Sequence, residues 1–327
     1  MKKHSQFSRW TGAVLLTVGL VLSPGAAARA QPHPGTVELD HVLLWGRTLD
    51  QVSAIMAVKL GFRVRPGRDP GGVANRYVRM SDRSYLELEG ITRSKPQLDP
   101  GMRADQAVLH GGPGARTFGL RSPALDRTRA SLQERGFTPT EIFSASPTDP
   151  DGAGPSAPPR WRLFAFEKPP LSSSLFFIDY AAATVVSTHE HPNGARELSA
   201  LWLLSSNAES DRKQLEKMGF TGATAVRIPQ VSARGYSVPV GRKRILVLQP
   251  EGAGIAADAL RSGGPQVFGI SVGVADLDRA KKQVERGYER TLTDYPGLLG
   301  RSFLAPTQED LGLLIEFHAL SGDAAVK

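Results

Sequence analysis

Four apolar runs, Leu39–Trp45, Thr117–Arg121, Leu198–Leu204 and Val267–Val274, have the density of buried strands, and each is followed by a stretch with helical spacing. In the first of these stretches, Leu49–Leu60, the apolar positions are Val52, Ile55, Met56 and Leu60, the one-face pattern of an amphipathic helix. Every helical stretch then closes on glycine and an aromatic residue: Gly61-Phe62, Gly136-Phe137, Gly219-Phe220 and Gly287-Tyr288. Glycine tolerates the left-handed backbone that ends a helix, and the next side chain can fold back over the last turn. The glycines stand 75, 83 and 68 residues apart, too far for a solenoid, so each unit is a sub-domain.

Three strand-like segments complete each unit. They are Phe62–Val64, Ala74–Met80 and Tyr85–Ile91 in the first, and Glu141–Ser144, Trp161–Glu167 and Leu175–Tyr180 in the second, after a helix over Asp126–Arg135. The third has a helix at Glu209–Met218 and strands near Ala225–Ile228, Tyr236–Val240 and Arg244–Gln249. In the fourth a helix at Leu277–Arg286 leads to Thr291–Thr293, Ser302–Pro306 and Leu313–His318. The predicted order is βαβββ, four times. Ser144–Pro159, with five prolines, reads as a surface loop or flap. Ala181–Arg196 lacks a strong period and marks the domain boundary, giving residues 31–190 and 191–327 as the two domains.

The first 30 residues stand apart. Lys2, Lys3 and Arg9 precede the apolar stretch Gly12–Leu22, and Ala28-Arg29-Ala30 has the small-x-small pattern of a signal-peptidase site, so export to the periplasm or medium and a mature start at Gln31 are expected. An apolar run of about 11 residues is well short of the ~20 that span a bilayer, so no stable membrane anchor is expected after cleavage. Cleavage would lower the formal charge from +8 to +4, leaving 36 basic against 32 acidic residues. Arg242-Lys243-Arg244 is the one dense basic cluster, and it reads as a solvated turn, so no nucleic-acid partner is expected. With no cysteine, the chain has no disulfide, thiolate ligand or cysteine nucleophile.

The module, the opening strand Leu39-Asp40-His41, the helix end Leu60-Gly61-Phe62 and the closing strand Tyr85-Leu86-Glu87-Leu88 together resemble the vicinal-oxygen-chelate superfamily. Its members include glyoxalase I, extradiol dioxygenases, fosfomycin-resistance proteins and bleomycin-binding proteins. Residues 39–196 resemble its glyoxalase-like branch, through Gly71-Gly72-Val73-Ala74-Asn75, Arg160-Trp161-Arg162 and His191-Pro192-Asn193-Gly194-Ala195 as well. Val73 stands where threonine is expected. The resemblance implies an α+β fold with four βαβββ modules paired into two open β-barrel cups. It also implies a divalent metal (Zn, Fe, Mn, Ni or Co) that chelates two adjacent substrate oxygens.

On that resemblance His41 and Glu87 fall at the metal positions of the first module. Both are polar groups in strands otherwise built of leucine, valine and tyrosine, where burial without a partner is costly. The matching first-strand position of the second module is Gly119-Leu120, which offers no donor, while its last strand offers Asp179. His191 is a further candidate ligand or a turn buttress, and His189 reads as a loop histidine. Glu89 shares a strand face with Glu87 and is either the candidate general base or a rim residue; Asn75 could hold a substrate oxygen or a turn. In the second cup the first-strand positions fall near Ala200 and Ile270, and Glu316 with His318 reads as a rim pair. Gly111–Gly114 precedes a strand, so it is a loop near the first cup rather than a dinucleotide fingerprint.

No nucleophile elbow, phosphate loop or His-Glu-x-x-His helix is present. Three readings stay open: a metal-dependent lyase or isomerase acting on a small molecule with adjacent oxygens; a metal-free binder of an aromatic or hydrophobic compound, of the bleomycin-resistance type, walled by Trp45, Tyr85, Trp161 and Phe177; and a scaffold that kept the fold and lost the site. The sequence carries no sign of the oligomeric state.

Overall fold

The computed structural model describes residues 36–69, 71–96, 98, 101–102, 105, 112–145, 160–181 and 190–320. The expected leader, His189, Gly111 and most of the proline-rich loop lie outside these residues.

Sixteen strands form two eight-stranded sheets among the described residues. The first sheet contains β1 (Glu38–Trp45), β2 (Arg65–Pro66), β3 (Val73–Arg79), β4 (Tyr85–Ile91), β5 (Thr117–Arg121), β6 (Phe143–Ser144), β7 (Trp161–Phe164) and β8 (Ser174–Tyr180), in the order β2-β3-β4-β1-β5-β8-β7-β6. β1 runs parallel to β4 and antiparallel to β5, so two modules join edge to edge through their opening strands. The second sheet repeats this with β9 (Ala195–Leu204), β10 (Thr224–Ile228), β11 (Ala233–Val240), β12 (Lys243–Pro250), β13 (Gln266–Val274), β14 (Tyr295–Gly297), β15 (Gly300–Ala305) and β16 (Leu314–Ala319), in the order β10-β11-β12-β9-β13-β16-β15-β14. The four βαβββ modules are those the sequence pattern predicts, and their pairing into an α+β fold is the one the family resemblance implies.

The module helices are α1 (Leu49–Ala54, continued by a π turn over Ile55–Lys59), α2 (Leu125–Glu134), α3 (Ala208–Met218) and α5 (Leu277–Tyr288). Thr48, Asn207 and Asp276 cap three of them by accepting an amide hydrogen bond from the first turn. Gly61, Gly136 and Gly219 have positive φ, and the following Phe62, Phe137 and Phe220 donate their amides back to Met56, Leu132 and Leu215, the closure that satisfies end carbonyls.

Gly287 departs from the expectation. It lies inside the last turn of α5, and the left-handed residue that ends the helix is Glu289. Close approach explains the glycine, because a Cβ on Gly287 would fall 2.2 Å from the Lys59 carbonyl oxygen. Gln283 donates to the Val58 carbonyl from the same helix, so α5 of the fourth module is seated on the π turn of the first. Among the described residues two further α-helices have no counterpart in the sequence pattern, α4 (Ile255–Gly263) and the short α6 (Gln308–Leu311).

A single apolar core joins the two sheets, with Leu39, Val42, Leu44 and Leu120 of the first and Leu201, Leu203, Ile270 and Val272 of the second. The opposite, concave face of each sheet forms a cup. In the second cup Ala200, Trp202, Leu204, Leu246, Leu248, Phe268 and Leu314 pack together with Ala256 and Ala259 of α4, so this cup is filled by its own apolar cluster. Among the described residues no helix is long and apolar enough to cross a membrane.

Candidate functional site

The first cup is organised by a β-bulge. Between β1 and β5 the register slips so that Leu39 faces Leu120 and His41 faces Gly119, leaving Asp40 as the extra residue. A bulge breaks strict alternation and re-aims side chains. Asp40 and His41, adjacent in sequence, thereby meet: Asp40 Oδ2 lies 2.8 Å from His41 Nδ1. The Tyr180 hydroxyl donates to the same Oδ2 at 2.6 Å, and Arg121 Nη1 stands 3.6 Å from Oδ1. Burial alone would raise the Asp40 carboxyl, but the hydrogen bond and charge of His41, with Arg121 and Tyr180, hold it below the ordinary carboxylate range.

With Nδ1 turned to a carboxylate, the other ring nitrogen of His41 faces the cup, 3.6 Å from Glu87 Oε2. The imidazole stacks on Tyr85 with ring centroids 4.2 Å apart and meets the edge of Phe176 at 5.2 Å. Glu87 is fixed from behind by Asn75, whose Nδ2 donates to Oε1 at 2.7 Å while its Oδ1 accepts the Arg68 amide. Asn75 thus holds the Arg68 turn, one of the two roles the sequence left open, and also orients the Glu87 carboxylate, a role the sequence reading did not contain. Glu89, fully buried, lies one row further along the same face, opposite Asn75 and Trp45. Burial first, then the Glu87 and Glu89 carboxylates, push the Tyr77 hydroxyl up. Burial does the same, more strongly, to Tyr85 and Tyr180, whose hydroxyls are 3.1 Å apart, so both stay protonated donors at neutral pH.

Two of the expected ligand residues do not join this pair. Asp179 points to the helix face of β8, where Arg162 Nη2 pairs with it at 2.7 Å and with Asp126 of α2 at 3.2 Å. The cup-facing residues of that strand are Phe176 and Ile178, with Tyr180 beyond them; Phe177, expected as a wall, is likewise in the core. His191 spends both ring nitrogens on backbone: Nδ1 accepts the Arg63 amide at 2.9 Å, and Nε2 donates to the Arg79 carbonyl at 2.9 Å. Burial lowers its pKa, which favours this neutral state. With Asn193 donating to the Leu60 carbonyl, the His-Pro-Asn-Gly turn clamps the end of α1 to β3. Among the described residues no group of three or more His, Asp or Glu side chains is placed to hold a metal ion.

The second cup holds Glu316, which accepts from Ser271 at 2.6 Å and Tyr295 at 2.7 Å, and His318, whose Nε2 pairs with Ser199 Oγ at 2.7 Å. Ser271 rather than Ile270 is the β13 residue on the cup face, and Ile270 is in the shared core.

Known proteins share this fold. A family described as a glyoxalase-like domain matches residues 39–219, more than half of the chain. The chain belongs to the glyoxalase-like domain family. No curated protein matches it by sequence. Among solved structures, a variant of 4-hydroxymandelate synthase from Streptomyces coelicolor is similar with a TM-score of 0.62 at 11% identity, over 90% of this chain and 95% of that one. Catechol 2,3-dioxygenase is similar with a TM-score of 0.55 at 13% identity, over 90% and 91%. A protein of Staphylococcus aureus described as hypothetical is similar with a TM-score of 0.55 at 10% identity, over 87% and 100%. At these identities the likeness establishes the vicinal-oxygen-chelate fold.

Proposed function

We propose that the N-terminal cup of this glyoxalase-like protein is a lyase or isomerase site for a small molecule with adjacent oxygens, and that His41 moves a proton there. The observation that carries this reading is the Asp40–His41 pair: a carboxylate fixes Nδ1, which leaves Nε2 on the cup side beside Glu87. A proton gained at Nε2 is stabilised by Glu87 Oε2 in front and Asp40 behind. Tyr180 and Arg121 keep Asp40 ionised, and Asn75 keeps Glu87 in place. His41 and Asp40 are both almost wholly buried, and low local dielectric strengthens each of these interactions.

A divalent ion is implied by the family resemblance. His41 and Glu87 would be its donors, and both have the supporting partners usual for metal ligands. The described residues supply no third donor, fewer than a protein metal site ordinarily has, so the donor set does not complete such a site. Asp40, His41 and Glu87 are the groups of the chain itself that can hold and move a proton in the cup.

Binding without turnover is a second reading, favoured by the apolar wall of Leu43, Leu163, Phe176 and Ile178 facing the polar one. Export belongs to the same proposal, and supports a periplasmic or extracellular small-molecule role. Mass spectrometry of secreted protein should show a first residue at or near Gln31; an intact Met1 in the cytosol would rule export out.

The site is tested with 2-hydroxyacetophenone, which has adjacent oxygens and an aromatic body. Nuclear magnetic resonance shifts on its addition should map to β1, β4 and β8, vanish in His41→Gln and persist in Glu316→Gln. Shifts that survive His41→Gln and vanish in Glu316→Gln would place the site in the other cup.

A further inference from the structure

We infer that the first cup is built for an organic anion with an apolar body, and that Arg79 selects for the anionic group; this rests on reading that cup as the ligand site. A single cross-strand row, Arg79, Tyr85, His41, Gly119 and Phe176, crosses β3, β4, β1, β5 and β8. Directly paired residues share a sheet face, so all five positions look into the cup. The row is cationic at one end and aromatic at the other, with the imidazole between.

Arg79 differs from the arginines around it. Arg76 pairs with Asp50, Arg121 with Glu38 and Arg162 with Asp179. Arg79 has no carboxylate or other acceptor for its guanidinium among the described residues; it lies over the Tyr77 ring at 4.5 Å and the Tyr85 ring at 5.1 Å. Ring faces hold a guanidinium in place without using its N–H donors, which remain able to take a carboxylate in bidentate fashion. At the opposite end Phe176, Ile178 and Leu163 offer nothing that could solvate charge. In the middle, Glu87 repels an anion. Among the described residues the favourable place for a negative group on this face is beside Arg79, Arg121 being paired with Glu38 and Asp40, and an apolar body extends past His41 towards β8.

Mandelate and its neutral amide, mandelamide, are a matched pair of probes, with binding measured by calorimetry at neutral pH. The wild type should prefer mandelate by about tenfold, equivalent to about 1.4 kcal/mol. Arg79→Gln should abolish the preference by weakening mandelate binding, and Arg79→Lys should restore part of it. The fold should survive, because His191 holds the Arg79 carbonyl rather than its side chain. The inference is overturned if the wild type shows no preference for the acid, or if Arg79→Gln retains it. The His41 imidazole resonance separates the two levels. A shift with mandelamide alongside an unchanged preference in Arg79→Gln removes Arg79 alone. Absence of any shift with either probe removes the cup reading, and this inference with it.

Discussion

The ring of His41 occupies the space in which a side chain at position 119 would stand: a Cβ on Gly119 would fall 2.7 Å from His41 Cε1 and 2.8 Å from Nδ1. The two residues are cross-strand partners at the seam of the modules. The glycine that offers no ligand from the second module is thus the slot that admits the imidazole of the first. Gly119→Ala should force His41 off Asp40, cost roughly 1–3 kcal/mol by urea denaturation and shift the His41 resonances. An unchanged imidazole environment would show that the slot has slack.

Asp40→Asn should remove the carboxylate that holds Nδ1. The Asp40 pKa is lower in the fold than its ordinary 3.8, so its contribution is present above that value and is lost as pH falls through the lower folded one. Wild type should exceed the variant by roughly 3 kcal/mol near neutrality, and the gap should close below about pH 4. A gap that stays constant down to the acid limit would mean that Asp40 is not held ionised by these partners.

His191 carries the opposite chemistry with the same sign. Its neutral ring is favoured, so its pKa lies below 6.5 in the fold, and its contribution is full above 6.5 and lost as pH falls through the folded value. His191→Gln should be less stable at pH 8 by about 1–3 kcal/mol, and its stability should fall less steeply than the wild type's as pH drops below about 6.5. Equal slopes in the two proteins would contradict the clamp.

Gly136 and Gly287 look alike in sequence and should respond differently. Gly136→Ala meets only the Lys217 ammonium at 3.5 Å and costs what a left-handed alanine costs, about 1 kcal/mol. Gly287→Ala drives a methyl into the Lys59 backbone and should cost at least 2–3 kcal/mol. Thermal melts of the two variants compare them directly, and equal losses would show that α5 is not seated on the π turn.

The module order was legible because its punctuation is local: glycine then an aromatic residue, and strand runs of fixed spacing. His41 and Glu87 were legible as polar residues in apolar strands, and Asn75 only through the resemblance carried by Gly71–Asn75. Asp179 and Phe177 went to the wrong face because Leu175, Phe176, Phe177 and Ile178 are all apolar, and a strand buried on both sides carries no alternation from which to read its phase. Asp40 was hidden by the rule that neighbours point apart, which the bulge suspends. Its one local signal was the charge directly before His41 in a buried strand. Tyr180 and Arg121 meet Asp40 only through pairing between modules, which no local pattern specifies. The apolar filling of the second cup depends on α4, an addition to the module.

Hydrogen–deuterium exchange tests the central claim, that His41 moves a proton in the first cup. The protein would be incubated with 2-hydroxyacetophenone in deuterated buffer, and loss of the proton signal at the carbinol carbon followed by nuclear magnetic resonance. Wild type should accelerate the exchange, Asp40→Asn should slow it at least tenfold, about 1.4 kcal/mol in the barrier, and His41→Gln should return it to the buffer rate. Exchange at the wild-type rate in His41→Gln, or no acceleration by the wild type, would contradict the account.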